Sequence, residues 1–166
     1  MNKVILVTGA SRGIGRAIAK DLALDGNMVI ANYNHSKDKA EELQEELKRN
    51  NINMDIYQAD VSKREEIESM VEYVINKYGR IDVLVNNAGI DLVKLFTDVT
   101  DEEWNYVINN NLYSVFCVSQ QVVKHMINAK NGVIINISSI FGQIGASCES
   151  IYAVSKAGID GLTKSL

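Results

Sequence analysis

Five short aliphatic runs recur along this chain, and an amphipathic stretch separates each from the next. Residues 3–8 are almost continuously apolar, which suits a strand covered on both faces rather than one with a wet side. Residues 28–33, 54–58, 81–85 and 133–137 repeat the pattern. Between the runs, residues 14–24 place Ile14, Ala17, Ile18 and Leu22 at helical spacing and stop at Gly26. Residues 36–49 carry Leu43 and Leu47 in a charged helical background. Ser62-Lys63-Arg64-Glu65 reads as a capping box for a helix that stops at Gly79. Thr100-Asp101-Glu102-Glu103 reads as another, for a helix reaching about residue 129, and a last helix is expected over 151–166. Strand and helix alternating at this spacing predict an α/β fold: a doubly wound parallel sheet with right-handed crossovers, in three α/β/α layers. It would form one domain over residues 1–166, ending after a fifth strand and one further helix.

Composition narrows the function classes. The net charge is −4, with no basic stripe, which argues against a nucleic-acid partner. No apolar run approaches the ~18 residues a membrane span needs. The apolar start is too short for a signal peptide and has no cleavage site, and Cys117 and Cys148 form no redox or metal-like pair. A cytoplasmic protein is therefore expected. His35 and His125 stand alone, so no metal site is expected.

The segment Thr8-Gly9-Ala10-Ser11-Arg12-Gly13-Ile14-Gly15 follows the first strand and opens the first helix. Free backbone N–H groups and the positive end of a helix suit a pyrophosphate, and glycines let the backbone approach it. This is the Rossmann-type arrangement, although the spacing G-x-x-x-G-x-G differs from the general G-x-G-x-x-G. An acid after the second strand would hold the ribose 2′-OH of NAD. Here Asn32-Tyr33-Asn34-His35-Ser36-Lys37 contains none before Asp38, and Arg12 could meet a 2′-phosphate. NADP(H) is expected over NAD(H).

Tyr152 and Lys156 lie one helical turn apart and share a face. A phenol, with an ordinary pKa near ~10, needs help to give up a proton at neutral pH, and a neighbouring ammonium provides it. Ser139 can orient a substrate carbonyl by hydrogen bonding. The Tyr-x-x-x-Lys spacing alone carries little, because Tyr33/Lys37 and Tyr73/Lys77 repeat it. Only Tyr152/Lys156 follows a serine at the carboxyl end of the fifth run, where open α/β sheets bind ligands.

These motifs together resemble the short-chain dehydrogenase/reductase family over essentially the whole chain. Thr8 to Gly15 matches its cofactor loop, Asn86-Asn87-Ala88-Gly89 its N-N-A-G motif, and Asn111, Ser139, Tyr152 and Lys156 its catalytic set. Ser139 rather than Ser138 is matched because Ile140-Phe141-Gly142 follows it. The resemblance implies Tyr152 as general acid, Lys156 on the nicotinamide ribose, Ser139 on the substrate oxygen and Asn111 holding a water that links Lys156 to solvent. It implies cofactor contacts from Gly9, Ser11, Arg12, Gly13, Ile14, Gly15 and Asn32. Asp60 and Val61 would lie at the adenine, and Asn87, Ala88 and Gly89 along its ribose. For Asp60 the residues alone equally allow a helix cap.

Within the family, Ser11 to Gly15, Asp101 to Trp104 and Tyr152 to Gly158 are similar to the 3-oxoacyl-(acyl-carrier-protein) reductases. The substrate would then be a small-molecule or acyl-carrier-bound carbonyl, and the assembly a homodimer or homotetramer through residues 100–129 and 151 onward. Gly145 to Glu149 is similar instead to reductases of the aminopentanone modification of bacterial elongation factor P, in which case Cys148 could face the substrate. Trp104 and Phe96 read as core or interface residues. Members of the family are about half as long again, with two further strands and a substrate loop. A chain ending at Leu166 would expose its fifth strand, and is expected to be a poorly stable fragment that at most binds nucleotide.

Overall fold

The computed structural model describes residues 2–166. Five strands pair in the order β3-β2-β1-β4-β5. They are β1 (Val4–Val7), β2 (Met28–Tyr33), β3 (Met54–Gln58), β4 (Val83–Asn86) and β5 (Val133–Asn136), and every pairing is parallel. The aliphatic runs are the reason: parallel strands carry helices on both faces, so both sides of the alternation are mostly apolar. Val4 to Val7 and Val83 to Asn86 are buried throughout.

Two apolar layers form as a result. On one face Ile5, Val7, Val29, Ala31, Val83 and Val85 pack with α1 (Gly13–Leu24) and α2 (Lys37–Lys48). On the other, Leu6, Ile30 and Leu84 meet Ile67, Met70 and Val74 of α3 (Arg64–Tyr78) and Val118 and Val122 of α5 (Ser114–Ala129). The first layer does not extend over β5. Val133 and Ile135 stand in register with buried Val83 and Val85, yet remain 49% and 45% exposed.

The strand order reverses between β1 and β4, and the chain leaves both strands at the same end of the sheet. That crevice is where an open α/β sheet accepts a ligand.

Several boundaries differ from the sequence reading. The expected capping box at Ser62 does not form: the N-cap of α3 is Lys63, with no side-chain cap. Instead Asp60 Oδ1 accepts from the Ser62 amide at 2.9 Å and its hydroxyl at 2.7 Å, and Glu66 accepts the Asp60 amide at 2.7 Å. The box at Thr100 does form, with both reciprocal bonds present. The long helix behind it is not uniform. α4 (Asp101–Ile108) passes into a π segment, Asn109–Tyr113, before α5 begins. A one-turn helix, α6 (Phe141–Ile144), precedes α7 (Ser150–Ser165) and was not anticipated. Trp104 and Phe96 are 41% and 76% exposed, which removes the core reading for both.

Candidate active site

The loop between β1 and α1 is shaped from two sides. Gly9 has φ +63°, a region few side chains tolerate, and a Cβ there would fall 2.8 Å from Ala88 Cα. The loop therefore lies directly on the segment that follows β4. Thr8 Oγ1 joins the two by accepting from the amides of Asn87 at 3.0 Å and Ala88 at 3.1 Å. Asn87 Nδ2 returns bonds to the carbonyls of Thr8 and Gly9, both at 3.0 Å. Gly15, one turn into α1, packs against the Asn87 side chain.

The N-terminus of α1 suits an anion. Its N-cap, Arg12, makes no side-chain bond to the first turn, and no acid occupies that turn. Its first amides and the positive helix end thus fit a pyrophosphate. Arg12 and Ile14 are exposed beside that end, while Ser11 is 8% exposed within the loop. No carboxylate closes β2, and Asp38 lies in the first turn of α2.

Three expected cofactor residues are committed elsewhere. Asn32 is 2% exposed, with Oδ1 accepting from the Gly9 amide at 3.2 Å and Nδ2 donating to the Ala59 carbonyl at 3.0 Å. Its side chain braces the loop backbone. The side chain of Val61 belongs to the apolar core, which leaves its main chain for any ligand. Asp60 caps the turn into α3 as described. Burial pushes its carboxyl up, but the Ser62 hydroxyl and amide, the Lys63 ammonium and the Asn34 amide outweigh that and hold it below the ordinary carboxylate value.

Tyr152 and Lys156 meet near the end of β5. Lys156 is 4% exposed and its ammonium donates to the Ile137 carbonyl at 2.8 Å, at the end of β5. It lies 5.6 Å from the centroid of the Tyr152 ring. Burial draws its pKa below the ordinary lysine value, and Asp160 opposes the shift. A Cβ on Gly89 would come 3.7 Å from Lys156 Nζ and 3.4 Å from Asn111 Oδ1, so Gly89, Lys156 and Asn111 surround one point.

The two serines separate by what they touch. Ser138 donates its hydroxyl proton to the Lys156 carbonyl at 3.2 Å. Ser139 instead accepts from the Phe141 amide at 3.2 Å. A hydroxyl has one proton and two acceptor sites, so accepting from Phe141 leaves the Ser139 proton free to donate.

Asn111 is wholly buried in the π segment. Its Oδ1 accepts from the Ile90 amide and its Nδ2 donates to the Ile90 carbonyl, each at 2.8 Å. Nδ2 also donates to Ser155 Oγ at 3.1 Å. π segments shift the helical register by one residue and are frequent at functional sites.

Thr8, Ser138 and Ser155 were absent from the expected site. Thr8 and Ser155 sit inside the quoted motifs, and their burial beside Gly9 and Lys156 is the signal that could have found them. Cys148 is half-buried with φ +62°, and its carbonyl accepts from the Lys94 amide at 2.7 Å, which ties the loop before α7 to the one before α4.

Comparison with known proteins agrees with this geometry. The short chain dehydrogenase family model matches residues 3–166. A 3-oxoacyl-(acyl-carrier-protein) reductase of Staphylococcus epidermidis is 46% identical over 164 residues, 99% of this chain and 67% of that protein. One from Thermotoga maritima is 46% identical over 162 residues, covering 98% of this chain and 65% of that protein. A metagenomic short-chain oxidoreductase solved with NADP superposes with a TM-score of 0.94 at 34% identity, over 98% of this chain and 74% of that one. An actinorhodin polyketide ketoreductase solved with NADPH gives 0.94 at 37% identity, over 99% of this chain and 63% of that one.

Proposed function

The chain belongs to the short-chain dehydrogenase family, and on that premise we propose that it is an NADPH-dependent reductase of a 3-oxoacyl thioester, with Tyr152 as general acid. The observation that carries the reading is the meeting of Gly89, Asn111, Lys156 and Tyr152 at the end of the crevice that the β1–α1 loop also borders. NADPH held by the β1–α1 loop would supply the hydride for the carbonyl carbon.

The chain's own residues do the rest. Ser139 donates a hydrogen bond to the carbonyl oxygen and fixes its direction. Tyr152 gives that oxygen its proton. Lys156 places a positive charge next to the ring, which favours the phenolate left behind. A Lys156 held by the Ile137 carbonyl cannot swing away, so the charge stays where the proton leaves. Arg12, exposed at the N-cap of α1, meets the 2′-phosphate, and the absence of an acid at the end of β2 removes the partner that NAD would require. The 3-oxoacyl choice rests on the two reductases at 46% identity. Two copies would pair through α4 and α5, where Trp104 and Phe116 keep 41% and 40% of their surface exposed.

Replacing Tyr152 with Phe tests the reading. Turnover of an acetoacetyl thioester should fall at least ~10²-fold, while NADPH affinity, followed by its fluorescence, stays within about twofold because the loop at α1 is untouched. Persistent turnover would remove Tyr152 from the acid's role.

A further inference from the structure

Ser155 is wholly buried, one residue before Lys156 and three after Tyr152. Its hydroxyl donates to the Tyr152 carbonyl at 2.7 Å. That bond spends its only proton, so towards Asn111 it can only accept. Asn111 Nδ2 donates to it at 3.1 Å, the amide edge of Asn111 is turned to α7, and Oδ1 is left to face the Ile90 amide. The amide and carbonyl of Ile90 fix which way round Asn111 sits, and the Ser155 hydroxyl ties that fixed amide to α7. Through Asn111, α7 is thus joined to the π segment and to the segment after β4. Gly89, next to Ile90, borders both Asn111 Oδ1 and the Lys156 ammonium, so rotation of Asn111 would disturb the wall beside that ammonium.

We propose that Ser155 is a positioning residue for the Tyr152–Lys156 pair, acting through Asn111. The role rests on the reductase reading for its catalytic consequence, but the contact itself does not. A serine that merely filled space in α7 would need only its methylene, whereas this one uses both its proton and a lone pair between two elements. Exchanging the Asn111 amide end for end would set Nδ2–H against the Ile90 N–H and Oδ1 against its carbonyl, so Asn111 offers α7 one fixed donor, and Ser155 is the group on α7 that accepts it.

The test is a cycle of Ser155→Ala and Asn111→Ala in the full chain, with an acetoacetyl thioester and NADPH. Ser155→Ala should lower kcat by ~10- to 100-fold with both KM values within about twofold, since geometry rather than binding is lost. In the Asn111→Ala background, Ser155→Ala should cost no further kcat, and additive losses would overturn the proposal. Ser155→Thr keeps the hydroxyl and should recover kcat relative to Ser155→Ala. A readout without turnover stands beside these. Exchange of the Asn111 side-chain amide protons, followed by NMR, should be at least ~10-fold faster in Ser155→Ala with global stability matched by denaturant. An unchanged exchange rate overturns the proposal. Wild-type protein that binds NADPH but turns nothing over overturns the reductase reading instead, and the amide exchange then decides the role of Ser155 alone.

Discussion

Lys156 carries a cost that only its chemistry repays. Its ammonium is 4% exposed, and burial lowers its pKa against the weaker pull of Asp160. A lysine whose folded pKa lies below the unfolded one subtracts stability at lower pH, and that loss is relieved as pH rises from the folded pKa toward the ordinary 10.5. Lys156→Met should therefore hold or raise the melting temperature at pH 7 while turnover falls at least ~10²-fold. A clear drop in melting temperature would mean that the bond to Ile137 outweighs desolvation. Arg12 makes a second prediction at this scale. Arg12→Ala should reduce the preference for NADPH over NADH by roughly 10-fold, the loss of one charge-assisted contact, measured as the ratio of the two kcat/KM values. An unchanged ratio would place the 2′-phosphate elsewhere. The sequence made Tyr152 and Lys156 legible because i,i+4 spacing and the preceding serine are local. It gave no sign of the partners of Asn32, since Gly9 and Ala59 become its neighbours only when three strands are aligned.

At the scale of elements, β3 and α3 are clamped by one carboxylate. Asp55 Oδ2 accepts from the Tyr73 hydroxyl at 2.6 Å, and from the Lys77 ammonium and Tyr78 hydroxyl at 2.8 Å each. The Tyr73/Lys77 pair that copies the active-site spacing is spent on this clamp. Burial pushes Asp55 up, but Lys77, Tyr73 and Tyr78 outweigh it and hold its pKa below the ordinary 3.8. A depressed carboxylate adds stability above its unfolded pKa and loses it as pH falls through the folded one. The burial of Tyr78 and its bond to Asp55 push its phenol up from the ordinary 10.0 to about 12, so its share is fully present below pH 10 and is lost as pH rises from there through about 12. Asp55→Asn should cost about 1–2 kcal/mol at pH 7, allowing for the screening of a half-exposed Lys77, and should flatten the acid limb of the stability profile. Urea titrations across pH measure both, and an unaltered acid limb would sink the clamp. Gly9→Ala is the sharper element-level change. It forces a left-handed backbone and meets Ala88, so it should cost about 1–3 kcal/mol and weaken NADPH binding, with calorimetry reading both.

The whole molecule shows an uneven pair of layers. α3 and α5 cover one face, with α7 packed against α4, the π segment and α6, whereas α1 and α2 on the other leave Val133 and Ile135 of β5 bare. An uncovered apolar strand at a sheet edge promotes association. A polypeptide of these residues expressed alone should therefore self-associate with rising concentration. Ile135→Lys should reduce that association, seen by light scattering, and leave NADPH affinity within about twofold because β5 carries no part of the phosphate loop. Equal scattering from both would point to another surface, the exposed Trp104 and Phe116 being the next to change.

The sequence by itself determined the α/β class, the five strands, the glycine loop and the one-turn spacing of Tyr152 and Lys156. Each is written in spacings of two to eight residues, and local periodicity is enough to read it. Tertiary structure alone decided that Asn111 sits in a π segment, that Thr8 sews two loops together, and that Ser155 accepts from Asn111. A continuous helical pattern over 100–129 gives no sign of one extra residue in a turn, and the partner of Asn111 in that turn, Ile90, lies outside the helix. Ser155 and Asn111 are 44 positions apart, and nothing in either residue's neighbourhood along the chain announces the other. Packing brings them together, and burial makes the orientation of each hydrogen bond binding.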